Sequence, residues 1–178
     1  MRARCPLVVP VLTAQHCAAQ LALSREHQSW QIRHWHPVLF TDESRFTLST
    51  CDRHKRVWRR CGERYAACNI IHHERFGGGS VMVWGGICLE GRTDLHMLAN
   101  GTLAAVKCRY EILRLIVRSY PGAVGPGFLL VQDNARPHVA RVCRQFLDDK
   151  GIDAIDWPSY SPNLKPIEIL WDVMYWCI

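Results

Sequence analysis

Phe128-Leu129-Leu130-Val131-Gln132-Asp133-Asn134-Ala135-Arg136-Pro137-His138 is the stretch that decides how this chain folds. Four apolar residues in succession predict a central strand, because a strand covered on both faces shows no polar side to water. Asp133 follows at its C-terminal end. Pro137 suits the opening turn of a helix, where its missing N–H would have had no partner in any case. Strand, acid and helix in that order put Asp133 in the crevice beyond the strand ends, where open α/β sheets bind ligands.

Outward from there, Val139, Val142, Cys143, Phe146 and Leu147 share one face of a helix that Gly151 ends. A short strand is predicted over 152–157, then a loop over 158–166 and a last helix reaching about Cys177. Upstream, 38–42 reads as a buried strand ending on Asp42, with 45–49 as its hairpin partner and 57–58 as a short strand. A strand over 80–89 turns at Glu90-Gly91 into 94–98. Thr102 is placed to cap a helix carrying Leu103, Val106, Tyr110, Leu113, Ile116 and Val117, stopped by Pro121 before a loop over 122–127. Thr13 caps a helix over 13–30, and residues 1–12 read as a flexible lead-in. Antiparallel strands followed by alternating helices and strands make this an α/β protein, a mixed sheet flanked by helices.

At 178 residues, 48% hydrophobic and 21% charged, the chain is one globular domain of ordinary size. Its longest apolar runs, 5–12 and 81–89, fall far short of the roughly 20 residues a membrane helix needs. Residues 1–12 imitate a short signal peptide, but two prolines break the run and argue against one. A net charge of +6 suits a polyanionic partner. Nine cysteines with no Cys-x-x-Cys pair read as thiols of a reducing compartment rather than a disulfide scaffold or a zinc ribbon.

Three acids stand out by position. Asp42 and Asp133 each end a predicted strand, and Glu168 lies on the last helix among Leu164, Trp171 and Tyr175. Taken alone, Glu168 reads as a solvated acid favoured by a helix N-terminus. Taken together, two aspartates and a glutamate are hard oxygen ligands of the kind Mg²⁺ takes alongside water and substrate phosphates. Two such ions, about 3.5–4 Å apart, serve phosphoryl transfer.

Four motifs then converge. Val38-Leu39-Phe40-Thr41-Asp42-Glu43-Ser44-Arg45-Phe46, Val83-Trp84-Gly85-Gly86, Gln132-Asp133-Asn134-Ala135-Arg136-Pro137-His138 and the run from Trp157 to Trp171 closely resemble the catalytic domain of the Tc-like branch of mariner-superfamily DDE transposases. The 34 residues between Asp133 and Glu168 match the spacing of that branch. The resemblance covers residues 13–178 and implies a ribonuclease-H-like fold and cut-and-paste DNA transposition. Asp42, Asp133 and Glu168 would be its catalytic and metal-binding triad, holding Mg²⁺ or Mn²⁺ as two ions. It further implies transposon ends and target DNA as partners, a homodimer as the full-length assembly, no membrane and a nuclear location.

Residues 1–36 then read as a lead-in and linker helix, and 37–178 as the catalytic domain, C-terminally truncated relative to the family. The family's helix-turn-helix region is expected to be missing. One departure falls beside the third acid: the family's Ser-Pro-Asp-Leu-Asn-Pro is here Ser161-Pro162-Asn163-Leu164-Lys165-Pro166. With the surplus cysteines, it keeps open an alternative, a decayed or repurposed fragment that binds DNA or partner subunits without cutting. A nuclease of RNA–DNA hybrids is a third reading, which the motif set disfavours.

Arg53-His54-Lys55-Arg56-Val57-Trp58-Arg59-Arg60 holds five basic residues in eight, so Lys55, Arg56, Arg59 and Arg60, with Arg136, are the candidate DNA contacts. A solvated hairpin is the plainer reading of that run. His138 could orient a phosphate or water, or simply start a helix. Gly77-Gly78-Gly79 lacks the Lys-Ser/Thr of a phosphate loop, and His72-His73 with Cys61 and Cys68 fits no common zinc spacing.

Overall fold

The computed structural model describes residues 2–4, 12–47, 57–59, 80–98, 102–125 and 127–177. Its centre is the strand expected at Phe128, observed as β7 (Leu129–Gln132), which runs parallel to β2 (Val38–Thr47) on one side and β8 (Asp153–Asp156) on the other. β2 pairs antiparallel with β4 (Ser80–Cys88), and β4 carries β5 (Gly91–Arg92) and β6 (His96–Leu98) at the two ends of its far side. The result is a six-stranded mixed sheet in the order β5-β4-β2-β7-β8, with β6 also on β4.

Two strand expectations change. Residues 38–47 form one strand rather than a strand and a hairpin partner: Arg45 and Phe46 stay in register with Met82 and Val81 of β4. Glu43-Ser44 offers no residue suited to the positive φ of a two-residue hairpin turn, so nothing reverses the chain there. Part of the supposed lead-in is also paired, since β1 (Arg2–Arg4) lies antiparallel to β3 (Val57–Arg59) in a separate two-stranded sheet.

Helices cover both faces. α1 (Ala14–Glu26) starts at Thr13, whose side chain accepts from the His16 N–H while the His16 ring takes the Thr13 N–H. A one-turn α2 (Ile32–Trp35) follows. α3 (Ala105–Lys107) begins three residues after the expected Thr102 cap and passes directly into a π-helical turn, Cys108–Leu113. A π turn inserts a residue and rotates the face that follows. Cys108, Ile112, Leu113 and Val117 are buried, whereas Tyr110 within the turn and Val106 ahead of it, both expected inside, are exposed. Pro121 does not stop structure either: it sits in the first turn of α4 (Tyr120–Val124), a position that tolerates proline. α5 (Arg136–Val139) and α6 (Arg141–Lys150) divide the predicted helix at Ala140, whose backbone is extended. Gly151 caps α6 in the left-handed conformation that glycine adopts without strain. α7 (Pro166–Cys177) closes the chain.

Alternation along the strands sorts the core into two clusters. Leu39 and Leu130 pack with Cys108, Ile112, Cys143, Phe146 and Leu147 on one face. Val38 and Val131 pack with Leu23 of α1 and Trp157 on the other. Among the described residues, no helix is long and apolar enough to cross a membrane.

Candidate active site

The site begins where the β2–β7 ladder ends. Its last partners are Phe40 and Val131, and one residue further on Thr41 Oγ1 donates to the Val131 carbonyl at 2.8 Å. That bond holds β2 against the end of β7, so Asp42, inside β2 and opposite Gly85 rather than at the strand end expected for it, comes where β7 gives way to Asp133. Asp133 Oδ1 accepts from the Ala135 N–H at 3.0 Å, and Asn134 ties the turn to β8 through Asp156 and the Trp157 carbonyl.

Asp42 is only 7% exposed. Its Oδ1 accepts from Lys165 Nζ at 2.7 Å and its Oδ2 from Trp171 Nε1 at 3.1 Å. Lys165 ends the turn after the helical segment Pro162–Leu164, and Trp171 lies on α7 three residues beyond Glu168. Burial pushes the Asp42 carboxyl above its usual range, Lys165 pulls it back, and the charges of Glu43 and Asp133 push it up again. Glu168 is half-buried and its pKa rises to about 7, first from burial and then from the charge of Asp42, with Asp172 and Asp133 adding to it against Lys165. Lys165 and Trp171, three residues either side of Glu168 in the chain, both bond Asp42 and so bring the start of α7 against β2 at the first acid.

Glu43 is a residue the sequence reading passed over. Neighbouring side chains on a strand face opposite ways, so Glu43 turns from Asp42 toward α5. There His138 Nε2 lies 3.3 Å from Glu43 Oε2 and 3.4 Å from Asp133 Oδ1, while His138 Nδ1 lies 3.5 Å from Cys108 Sγ. Burial alone would lower the imidazole pKa, but the hydrogen bond and charge of Glu43, with that of Asp133, raise it on balance. One ligand atom each from Glu43, Asp133 and His138 lie within 4.8 Å of one another. Glu43 Oε1 is buried and makes no hydrogen bond, its one charged neighbour being His138 Nε2 at 3.2 Å. Alternation beside Asp42 was the signal that could have found Glu43.

These residues fit a hard divalent cation. Glu43, Asp133 and His138 each offer a ligand atom within 4.8 Å of the others, Asp42 and Glu168 standing outside that group, and carboxylate oxygens are donors of the right kind. Of the candidate DNA contacts, Arg136 opens α5 and is exposed, and Arg59 ends β3. Lys55, Arg56 and Arg60 lie outside the described residues, as do His72, His73, Cys61, Cys68 and the three glycines. Cys17, Cys88, Cys108 and Cys143 are free thiols.

Gly85 faces Asp42 across the β2–β4 ladder. A Cβ there would meet the Trp171 ring and Leu95 at 3.1 Å. The glycine in Val83-Trp84-Gly85-Gly86 thus leaves room for the indole that holds Asp42.

Residues 37–176 match the family described as DDE superfamily endonuclease. The chain belongs to that family. It is 33% identical over 174 residues to the Transposable element Tcb2 transposase of Caenorhabditis briggsae, which takes in 97% of this chain and 63% of that protein. The Mos1 transposase paired-end complex with left transposon end has the same fold: TM-score 0.67 over 99% of this chain and 53% of that one, at 19% identity. The mariner Mos1 paired-end complex with Mg gives a TM-score of 0.65 over 98% of this chain and 52% of that one, at 20% identity. This DDE chain therefore spans a little under two thirds of the curated relative and about half of the Mos1 chain. The ribonuclease-H-like mixed sheet expected from the motifs is the one observed.

Proposed function

We propose that this chain is the catalytic core of a cut-and-paste transposase, cleaving DNA and transferring its strands with a divalent metal. What supports the reading is membership of the DDE endonuclease family together with the bonds by which Lys165 and Trp171, either side of Glu168 in the chain, hold Asp42. In this reading the carboxylates of Asp42, Asp133 and Glu168 hold Mg²⁺ or Mn²⁺, as two ions. Such ions activate a water or hydroxyl nucleophile and stabilise the leaving oxygen of a phosphodiester.

The protein's own part is positional. The Thr41–Val131 bond fixes the spacing of the two aspartates, α7 brings Glu168, and Trp171 orients the Asp42 carboxylate. Exposed Arg136, three residues beyond Asp133, is read as a phosphate contact that positions DNA without reading its sequence. The substrates in this reading are transposon ends and target DNA, the full-length protein works as a homodimer, and its place is the nucleus. The Mg-bearing Mos1 complex supports the choice of metal.

Nicking of supercoiled DNA tests it. The chain with Mg²⁺ or Mn²⁺ should convert supercoiled plasmid to open circles, and Asp133→Asn and Glu168→Gln should each abolish the conversion. Nicking that persisted in both variants would sink the assignment.

A further inference from the structure

The acid cluster already contains a cation of the chain's own. Lys165 is 4% exposed, and its ammonium donates to Asp42 Oδ1 at 2.7 Å. That charge also lowers the proton affinity of Glu168 and of His138, so it acts among the acids and not only on Asp42. With Trp171 on Oδ2, both oxygens of Asp42 are engaged.

A metal ion on Oδ1 would sit about 2.0–2.1 Å from that oxygen. An ammonium on the same oxygen would then stand a few ångströms from a divalent charge in a poorly screened place, which is strongly repulsive. The two cations compete for one position. The backbone of Lys165 is pinned, its N–H on the Pro162 carbonyl and its carbonyl taking the Glu168 N–H. Its four-carbon stem is flexible, so the ammonium can leave without moving Glu168.

We infer that Lys165 is a tethered counter-cation: it neutralises Asp42 when the site is metal-free, and metal reaches Asp42 only by expelling the ammonium. This rests on the reading of the acids as a cation site. It makes Lys165 a residue that sets metal affinity while keeping the empty acid cluster folded.

The test is Mn²⁺ binding to the whole chain, followed by the paramagnetic resonance of free Mn²⁺, for wild type, Lys165→Gln and Lys165→Arg. Lys165→Gln should bind Mn²⁺ at least about tenfold more tightly, a conservative figure for removing a unit charge from beside the ion. Its metal-free melting temperature should fall, because Asp42 loses its partner. Lys165→Arg, which keeps the charge, should stay within about threefold of wild type. Should Lys165→Gln not fold, the wild type still decides the matter through nitrogen-15 spectra of the lysine ammonium groups. One protected signal, absent from Lys165→Arg, should vanish or move as Mg²⁺ saturates the chain. Equal Mn²⁺ affinity in wild type and Lys165→Gln, or an ammonium signal indifferent to bound Mg²⁺, would overturn the inference and leave the acids as a metal site. No Mn²⁺ bound by any of the three proteins would overturn both.

Discussion

Trp171 Nε1 donates to Asp42 Oδ2 at 3.1 Å, so the helix that carries Glu168 also holds the carboxylate of the first acid. The indole packs edge-on to Phe46 of the same strand, with ring centroids 6.0 Å apart. Trp171→Phe would keep most of that packing and remove the donor. A hydrogen bond to a charged group is worth about 1.5–3 kcal/mol, so the variant should lose about 2 kcal/mol in chemical denaturation. No measurable loss would mean that Lys165 alone secures Asp42.

Gly85→Ala attacks the same contact from the other side. Its Cβ would press on the Trp171 ring and Leu95 at 3.1 Å, tighter than most packed Cβ contacts, so the indole must give by a few tenths of an ångström. Overpacking of this kind costs about 1–3 kcal/mol. The expected result is a lower melting temperature together with a shift in tryptophan emission. Gly91→Ala is the control, since nothing lies within 4 Å of a Cβ there.

What the sequence could show followed from local rules. Phe128–Val131 needed only its unbroken apolar run, Thr13 and Gly151 only their capping chemistry, and Asp133 only its place after a strand, whereas Asp42, expected at a strand end, lies inside β2 because the hairpin beyond it does not form. The π turn at Cys108–Leu113 was not legible, because helical periodicity assumes that no residue is inserted, and Tyr110, within that turn, is exposed where the periodicity put it inside. Nor was the role of Lys165. Its burial against Asp42 joins residues 123 positions apart, and no local pattern announces a contact that distant. Gly85 was visible only as part of a family motif; its reason is the width of an indole on another element.

The metal-free chain should lose stability as pH rises through neutrality. Asp42, Glu168 and His138 all have raised pKa values in the folded state, so folding takes up protons wherever they titrate. When the folded state binds more protons than the unfolded one, stability falls with increasing pH. For Glu168 the window runs from its ordinary value of 4.5 to about 7. Melting temperatures measured in chelator should decline between about pH 5 and pH 8. Glu168→Gln should flatten the curve over the Glu168 window and leave the parts due to His138 and Asp42. A wild-type curve that rises over that range would contradict the crowding of these acids.

Metal should reverse that crowding. An ion that binds only the folded chain stabilises it by mass action, about 2.7 kcal/mol at a hundred times its Kd. For a chain of this size that corresponds to several degrees of melting temperature. Asp133→Asn, which removes the acid shared by both carboxylate groupings, should lose most of the shift with Mg²⁺ or Mn²⁺. A shift of equal size in wild type and variant would mark a non-specific ion effect.

His138 ties Glu43 to Asp133, and a double-mutant cycle can measure that tie. His138 is 3% exposed and its Nε2 lies 3.2 Å from Glu43 Oε1 and 3.3 Å from Oε2. Removing one member of a buried ion pair leaves the other charge without compensation, at a cost of about 3–5 kcal/mol. His138→Asn alone should therefore destabilise the metal-free chain by about that much. Glu43→Gln removes the stranded charge, so in the His138→Asn background it should cost little or restore stability. The coupling between the two sites should come out at about 1–3 kcal/mol in denaturant titrations, the range for residues in direct contact. Additive losses would show that His138 is held by packing around Cys108 and that Glu43 is free for other partners. Strong coupling in chelator that weakens when Mg²⁺ is present would show the ion taking over the carboxylate that His138 otherwise neutralises.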